Sequence, residues 1–235
     1  MKKRSFRLFL RAMLCFFLAL LPPALSAASD FRPANEAQAA RQAKSLFLQC
    51  AFHPEYGDHD TPHLLNRWEE EVTLWVGGSP TREDLRALDA FLLELNEKVT
   101  DFPGIRRVRR DTDAAVRVWY IPQYMMKYYL TEYVEDNWGF FQYSLTGNRI
   151  TSARIAIASD ATEQEDRIHL LLEELVGALG LPGDHLVYRD SILYDRWTRT
   201  QELSEVDWRM LNLLYSPALR PGLTEQQARE ILDSL

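Results

Sequence analysis

Apolar positions recur along this chain with two spacings, one near 3.6 residues and one near two, which sort it into helices and strands. Residues 34–50 (ANEAQAARQAKSLFLQC) keep the helical spacing, with Leu46, Phe47 and Cys50 at the apolar end. Glu71–Val76 (EVTLWV) predicts a strand, broken by the glycines and proline of GGSPT. Ser79 or Thr81 caps the next helix, which runs to about Val99 with Leu85, Leu88, Leu92 and Leu95 on one face. Ala115–Ile121 alternates as a second strand, and Gln123–Tyr133 fits a short helix or an irregular segment. Trp138–Leu145 and Arg149–Ser159 predict a hairpin around Thr146-Gly147-Asn148. Residues 162–179 form a long amphipathic helix stopped by Gly180. Two helices follow a coil, Ser204–Tyr215 and Thr224–Leu232, the latter opening on a capping-box pattern at Thr224 and Gln227. This order predicts an α+β fold, a mixed sheet backed by helices.

The first residues stand outside that pattern. MKKRSFRLFLR is basic, AMLCFFLALLPPAL is apolar, and ALSAAS offers small residues for cleavage. That is the layout of a secretory signal peptide, cut near Ala27 or Ala28. An uncleaved anchor is the alternative, but the apolar run is short for a span and holds Pro22 and Pro23. The expected organisation is a signal peptide over 1–28, an N-terminal helix and loop over 29–63, and one main domain over 64–235. The location expected is periplasmic or secreted, with no membrane span left after cleavage.

Export changes the charge. Losing Lys2, Lys3, Arg4, Arg7 and Arg11 takes the formal net charge from -7 to -12. Such a chain repels nucleic acid, which is not expected as a partner. The basic run Arg106-Arg107-Val108-Arg109-Arg110 reads as a solvated loop. Of the two cysteines, only Cys50 lies past the cleavage point, so no internal disulfide forms and packing is its role. The sequence shows no Gly-rich phosphate loop, no Ser-His-Asp ordering and no CxxC pair.

Residues 171–184 (LLEELVGALGLPGD) are similar to the zinc-binding helix HExxHxxGxxH of zincin peptidases. With Gly180 on the motif glycine, Glu173 stands at the first histidine, Glu174 at the general base, Gly177 at the second histidine and Gly183 at the third. Ser191–Tyr194 looks like the methionine turn of metzincins, with Leu193 at the methionine. LSEVD over 203–207 and LYS over 214–216 resemble the closing helix of matrixins. More closely, the runs EELVGALGL, SIL, LSEVD and LYSPALRPGL resemble the secreted bacterial family called domain of unknown function 2927. The resemblance covers roughly residues 64–232. It implies a zincin-like fold: a mixed sheet against a long active-site-type helix, then a C-terminal helical subdomain.

The ligands that zinc chemistry needs do not follow. Two imidazoles at i and i+4 put two nitrogens on one ion, and Gly177 and Gly183 offer no donor. His169, Glu173 and Asp184 or His185 form an alternative ligand set if the post-helix loop folds back. The other reading of His169 is packing on its helix, and of Asp184 a turn role after Pro182-Gly183. Without a metal, Glu174 is a weak hydrolytic catalyst. Arg154 and Tyr188 are candidate partners for Glu173 and Glu174, whose apolar neighbours predict raised pKa values. His53, His59 and His63, among Glu55, Asp58 and Asp60, read as an acidic loop, or else as a weak surface metal site. The tryptophans and tyrosines from Trp75 to Trp138 read mostly as core, or else the tyrosine-rich stretch 120–133 lines a groove.

The function expected is that of a degenerate zincin-like domain that binds a peptide or an envelope protein in its cleft. Glu174 is the candidate catalytic position, and Glu173, Asp184, His169 and His185 are the cleft candidates. No cofactor or metal is expected. The alternatives are a metal-dependent hydrolase using His169, Glu173 and Asp184 or His185, and a structural envelope component.

Overall fold

The structure, a computed structural model, describes residues 28–56, 61–160 and 163–234. The expected signal segment therefore lies outside the described residues up to position 27.

The chain runs α1 (Glu36–Phe52), β1 (Val72–Gly78), α2 (Arg82–Lys98), β2 (Ile105–Arg107), β3 (Val116–Ile121), β4 (Gly139–Thr146), β5 (Arg149–Ala158), α3 (Gln164–Leu179), α4 (Glu205–Leu214) and α5 (Glu225–Asp233). The five strands make one mixed sheet in the order β2-β1-β3-β5-β4. β1, β2, β3 and β5 are parallel to their neighbours in that series, and β4 runs antiparallel to β5 at the sheet edge.

β5 is the strand the sequence announces most clearly. Its run ARIAIA places Ala153, Ile155, Ala156, Ile157 and Ala158 at or near zero exposure. Burial on both faces fits a strand with a packed layer on each side of the sheet. One face carries the main core, which joins Val118, Ile155 and Ile157 to Leu171, Leu175 and Val176 of α3. The other face carries a small second core of Ile121, Met126, Leu130, Phe140, Ala156 and Ala158. The aromatic stretch after β3 supplies it: a 3-10 segment, Gln123–Tyr128, buries Met126 and leaves Tyr124 and Tyr128 outside.

The reading of the basic run as a solvated loop is corrected in part. Ile105–Arg107 pairs with Val72–Leu74 as the edge strand β2. Its arginines stay in solvent, Arg106 against Glu71 and Arg107 against Asp89. Three residues with a single apolar member carry too little alternation to read as a strand.

α1 packs on α4 and α5, and its residues Leu46, Phe47 and Cys50 belong to the main core. α3 packs on α2, β4 and β5. Its register against α2 is pinned by a buried ion pair, Arg167 Nη2 to Asp84 Oδ2 at 2.5 Å. Asp84 also closes the capping box of α2 with Thr81. No helix among the described residues is long and apolar enough to cross a membrane.

Candidate functional site

Leu170, Glu174 and Gly177 lie at i, i+4 and i+7 on α3, so they share one face. That face meets Gly139 and Phe141, alternate residues of the edge strand that point the same way. The two rows interlock. A Cβ on Gly139 would stand 2.6 Å from Glu174 Oε1, so the strand glycine makes room for the helix carboxyl. A Cβ on Gly177 would stand 2.4 Å from Phe141 Cε1, so the helix glycine makes room for the strand ring. The backbone N–H of Phe141 donates to the Glu174 carboxyl.

The turn after α3 closes the far side. Gly183 N–H donates to Cys50 O at 2.9 Å, and Glu55 N–H donates to Pro182 O at 3.2 Å. Gln49 Nε2 donates to Asp184 O at 2.9 Å. A Cβ on Gly183 would fall 2.1 Å from His53 O, so this backbone contact needs glycine. The turn thus brings Asp184 and Glu55 beside Glu173 and Glu174.

Four carboxyls then share one site. Burial raises Glu174 well above the usual carboxylate range, and the charges of Glu173, Glu55 and Asp184 add to it. Burial does the same for Glu173, followed by Asp184 and Glu55. Asp184 is pushed up to about 7 by burial and by the charges of Glu55 and Asp195. Its carboxyl hydrogen-bonds that of Glu55, which is possible only when one of the two holds a proton. Glu55 is an exposed residue whose carboxyl hydrogen-bonds Asp184 and Tyr56, and partial burial there raises its pKa. Among the described residues, none of the four has an arginine or lysine ion pair.

His169 stands at the edge of this group. Its Nδ1 lies 2.8 Å from Thr200 O, which can only accept, so Nδ1 carries the proton. Nε2 is left unprotonated 3.6 Å from Glu173 Oε2, and burial keeps the imidazole neutral by lowering its pKa. Trp197 meets the His169 ring edge-on at 5.8 Å, and Trp138 meets Trp197 at 5.5 Å. On the opposite side Tyr56 packs on Phe140 at 5.3 Å and accepts from Asn137 Nδ2 at 3.1 Å. Tyr56, Trp138 and Trp197 keep 39%, 39% and 52% of their surface exposed, so the aromatic border of the site reaches solvent.

His185, expected in the cleft, belongs elsewhere. Val187 N–H donates to its Nδ1, so Nε2 carries the proton and donates to Ser191 Oγ at 3.0 Å. Ser191 Oγ donates to Asp207 Oδ1 at 2.5 Å. Asp207 Oδ2 accepts from Ile192 N, Ser204 N and Ser204 Oγ. The histidine donates to the serine, the reverse of what an activated serine nucleophile requires. All three side chains are buried, and burial pushes His185 down to about 4. They tie the 185–194 loop to the start of α4, and so remove His185 from any ligand set with His169 and Glu173.

Other sequence candidates also part company. Arg154 donates to Tyr129 O, and Tyr188 packs edge-on against Phe31. Neither reaches Glu173 or Glu174. His53 meets Glu225 at 3.1 Å, and His63 accepts from Asn66 Nδ2 at 3.2 Å. His59, Asp58 and Asp60 lie outside the described residues. Among those described, no group of three or more His, Cys, Asp or Glu side chains is arranged to hold a metal ion. Sequence reasoning missed Glu55 as a member of the site. Its only signal was an acidic residue beside a tyrosine in a loop, which many surfaces share.

A family model described as "Protein of unknown function (DUF2927)" matches residues 40–234. No curated protein matches the chain.

Proposed function

The chain belongs to the DUF2927 family, and on that premise we propose that it is an exported zincin-like binding domain whose cleft takes a cationic group of a peptide or protein. One observation carries this reading. In the group of Glu55, Glu173, Glu174 and Asp184, neighbouring carboxyl charges raise the pKa values of the last three, with no arginine or lysine ion pair among the described residues to balance them.

Carboxyls placed so close hold protons, because their charges repel across a desolvated space. A lysine, an arginine or a peptide amino terminus replaces those protons with a fixed positive charge. Tyr56 hydrogen-bonds Glu55, and Trp197 packs on His169 next to Glu173, so aromatic rings border the site, and a cation that lay over such a ring would be attracted by its quadrupole. The edge strand β4 has β5 as its one neighbour, which leaves backbone groups open to an extended peptide. The zincin-like part of the reading draws on the element order, with an antiparallel edge strand beside the long helix. Export draws on the basic, apolar and small-residue pattern at the N-terminus.

Hydrolysis is the weaker reading. Glu174 sits at the aligned general-base position, but its carboxyl holds the Phe141 N–H. Phe141 and the His53 backbone fill the space next to Gly177 and Gly183, where two more ligands would stand.

Calorimetry with short peptides that differ only in one central residue tests the proposal. Lysine or arginine peptides should bind, with proton release near neutral pH, and glutamine or glutamate peptides should not. Glu174→Gln and Asp184→Asn should each weaken binding while leaving the fold intact, as read by near-ultraviolet circular dichroism. Equal binding of the lysine and glutamate peptides would overturn the proposal.

A further inference from the structure

A second concave site lies at the other end of the β4–β5 hairpin. The hairpin turn Thr146-Gly147-Asn148 and the loop Pro217–Pro221 face each other across an open groove of about 480 Å³. Three arginines line it, Arg67, Arg149 and Arg220, against a single acid, Glu69. This concentration of positive charge stands out on a chain with a formal net charge of -7.

The three arginines differ in what they are free to do. Arg67 is mostly buried and committed. Its Nε binds Glu69 at 2.6 Å, and its Nη1 donates to Leu214 O and Ser216 O at the end of α4. It neutralises the one acid of the groove and forms part of the floor. Arg149 and Arg220 have no acid partner among the described residues. Other arginines are paired, Arg106 with Glu71, Arg107 with Asp89 and Arg110 with Asp113, while Arg41, Arg82, Arg109, Arg154 and Arg196 are exposed with no acid partner among the described residues; what sets Arg149 and Arg220 apart is that they line one groove.

The walls are held in place. Ile150 N–H donates to Arg67 O at 2.9 Å, fixing the hairpin base beside the floor. Gly222 N–H donates to Leu65 O at 2.8 Å, fixing the opposite loop. Pro217 and Pro221 restrict that loop's backbone further. Gly222 has φ 89°, and a Cβ there would meet Asn148 Nδ2 at 2.8 Å, so the loop reaches the hairpin by close approach. Two unpaired guanidinium groups on two fixed walls make a pre-organised site for one bridging anion. A guanidinium donates two parallel N–H bonds to an oxyanion. Two such groups match an anion with at least three acceptor oxygens and a double charge.

We propose that the groove between the 146–149 turn and the 217–221 loop binds a phosphate-type dianion, with Arg149 and Arg220 as its two clamps. The shared chemistry is the phosphate monoester group, carried either by a small molecule or by a lipid headgroup. The site is separate from the carboxyl cleft and does not depend on the function proposed for it.

The test is titration of the full mature chain with inorganic phosphate, followed by NMR or calorimetry, with chloride held at equal ionic strength. Saturable binding should appear, and acetate should bind more weakly because it carries one charge and two oxygens. Arg149→Gln and Arg220→Gln should each reduce phosphate affinity about tenfold or more, the loss of one charge-assisted pair. Arg106→Gln, which removes a paired arginine on β2, should change nothing. Flotation with phosphatidic acid vesicles separates the sources. Vesicle binding that both groove variants abolish, with no response to free phosphate, would support the headgroup. Absence of saturable binding to both probes would sink the proposal, as would equal binding by Arg149→Gln, Arg220→Gln and wild type.

Discussion

Gly177 of α3 faces Phe141 of β4 so closely that a side chain on the glycine would begin 2.4 Å from the ring. The helix face that would carry a second metal-binding side chain in a zincin is instead a socket for an aromatic ring. Gly177→Ala gains roughly 1 kcal/mol in helix propensity. It must also displace a ring packed beside Tyr143, with centroids 5.9 Å apart. Overpacking of this kind costs about 1–3 kcal/mol. Gly177→Ala should therefore lower stability in urea melts, and Phe141→Leu in the same chain should recover part of the loss. Purely additive effects of the two substitutions would show that the contact does not decide the packing.

The main core gives a larger expected effect. Leu175 is 1% exposed, between the sheet and the helices that follow. Leu175→Ala should cost about 2–5 kcal/mol in denaturant unfolding. Leu93, which is 60% exposed on α2, is the control, and Leu93→Ala should shift stability by under about 0.5 kcal/mol. Similar midpoints for the two variants would mean that α3 does not pack as described.

Ser191 and Asp207 organise the loop that took His185 out of the cleft. Asp207 is fully buried and accepts from Ser191 and from both the backbone and the hydroxyl of Ser204. Burial raises its pKa, while those bonds pull it back. Asp207→Ala leaves several buried donors without an acceptor, each worth about 1–3 kcal/mol. It should destabilise the chain by more than Ser191→Ala does, and hydrogen exchange should quicken over 185–194 and at the start of α4. Unchanged exchange in that loop would remove Asp207 as its anchor.

How much of this was legible before the structure depends on how local each signal is. The β5 run ITSARIAIAS and the α3 face of Leu172, Leu175, Val176 and Leu179 declare themselves through periodicity, and both lie where they were read. β2 did not, because two of its three residues are arginines and its partner β1 is 33 positions earlier at Val72↔Ile105. The glycines 177 and 183 were legible as missing ligands. That each admits a particular neighbour, the Phe141 ring or the His53 carbonyl, is a matter of tertiary register that spacing along one chain does not contain. His185 was placed with the cleft because it follows a Pro-Gly pair that permits a turn. The competing partners, Ser191 and Asp207, were visible only as parts of a resemblance. Glu55 was invisible because an acid in a loop carries no pattern.

The shared carboxyls give the last prediction, and its direction follows from where each proton sits. Asp184 titrates near 3.8 in an ordinary setting and at about 7 in the folded chain. Below about pH 4 it is protonated in both states and adds no pH dependence. Between these values the unfolded chain releases the proton and the folded chain keeps it, so stability falls as pH rises. Above about 7 the loss is complete. Glu173 and Glu174, also raised, act in the same direction. His169 and His185 act oppositely, because burial lowers their pKa values and acid favours the unfolded chain. The whole-protein profile mixes these trends, so the informative quantity is the stability of Asp184→Asn minus that of wild type. The amide introduced by Asp184→Asn keeps the size of the side chain and a donor for Glu55 but cannot ionise. The difference should grow in favour of the variant from about pH 4 to about pH 8, then level off. Urea unfolding at a series of pH values measures it. A difference that stays flat across that range would mean that Asp184 ionises as freely in the folded chain as in the unfolded one, and that the four carboxyls are not electrostatically joined.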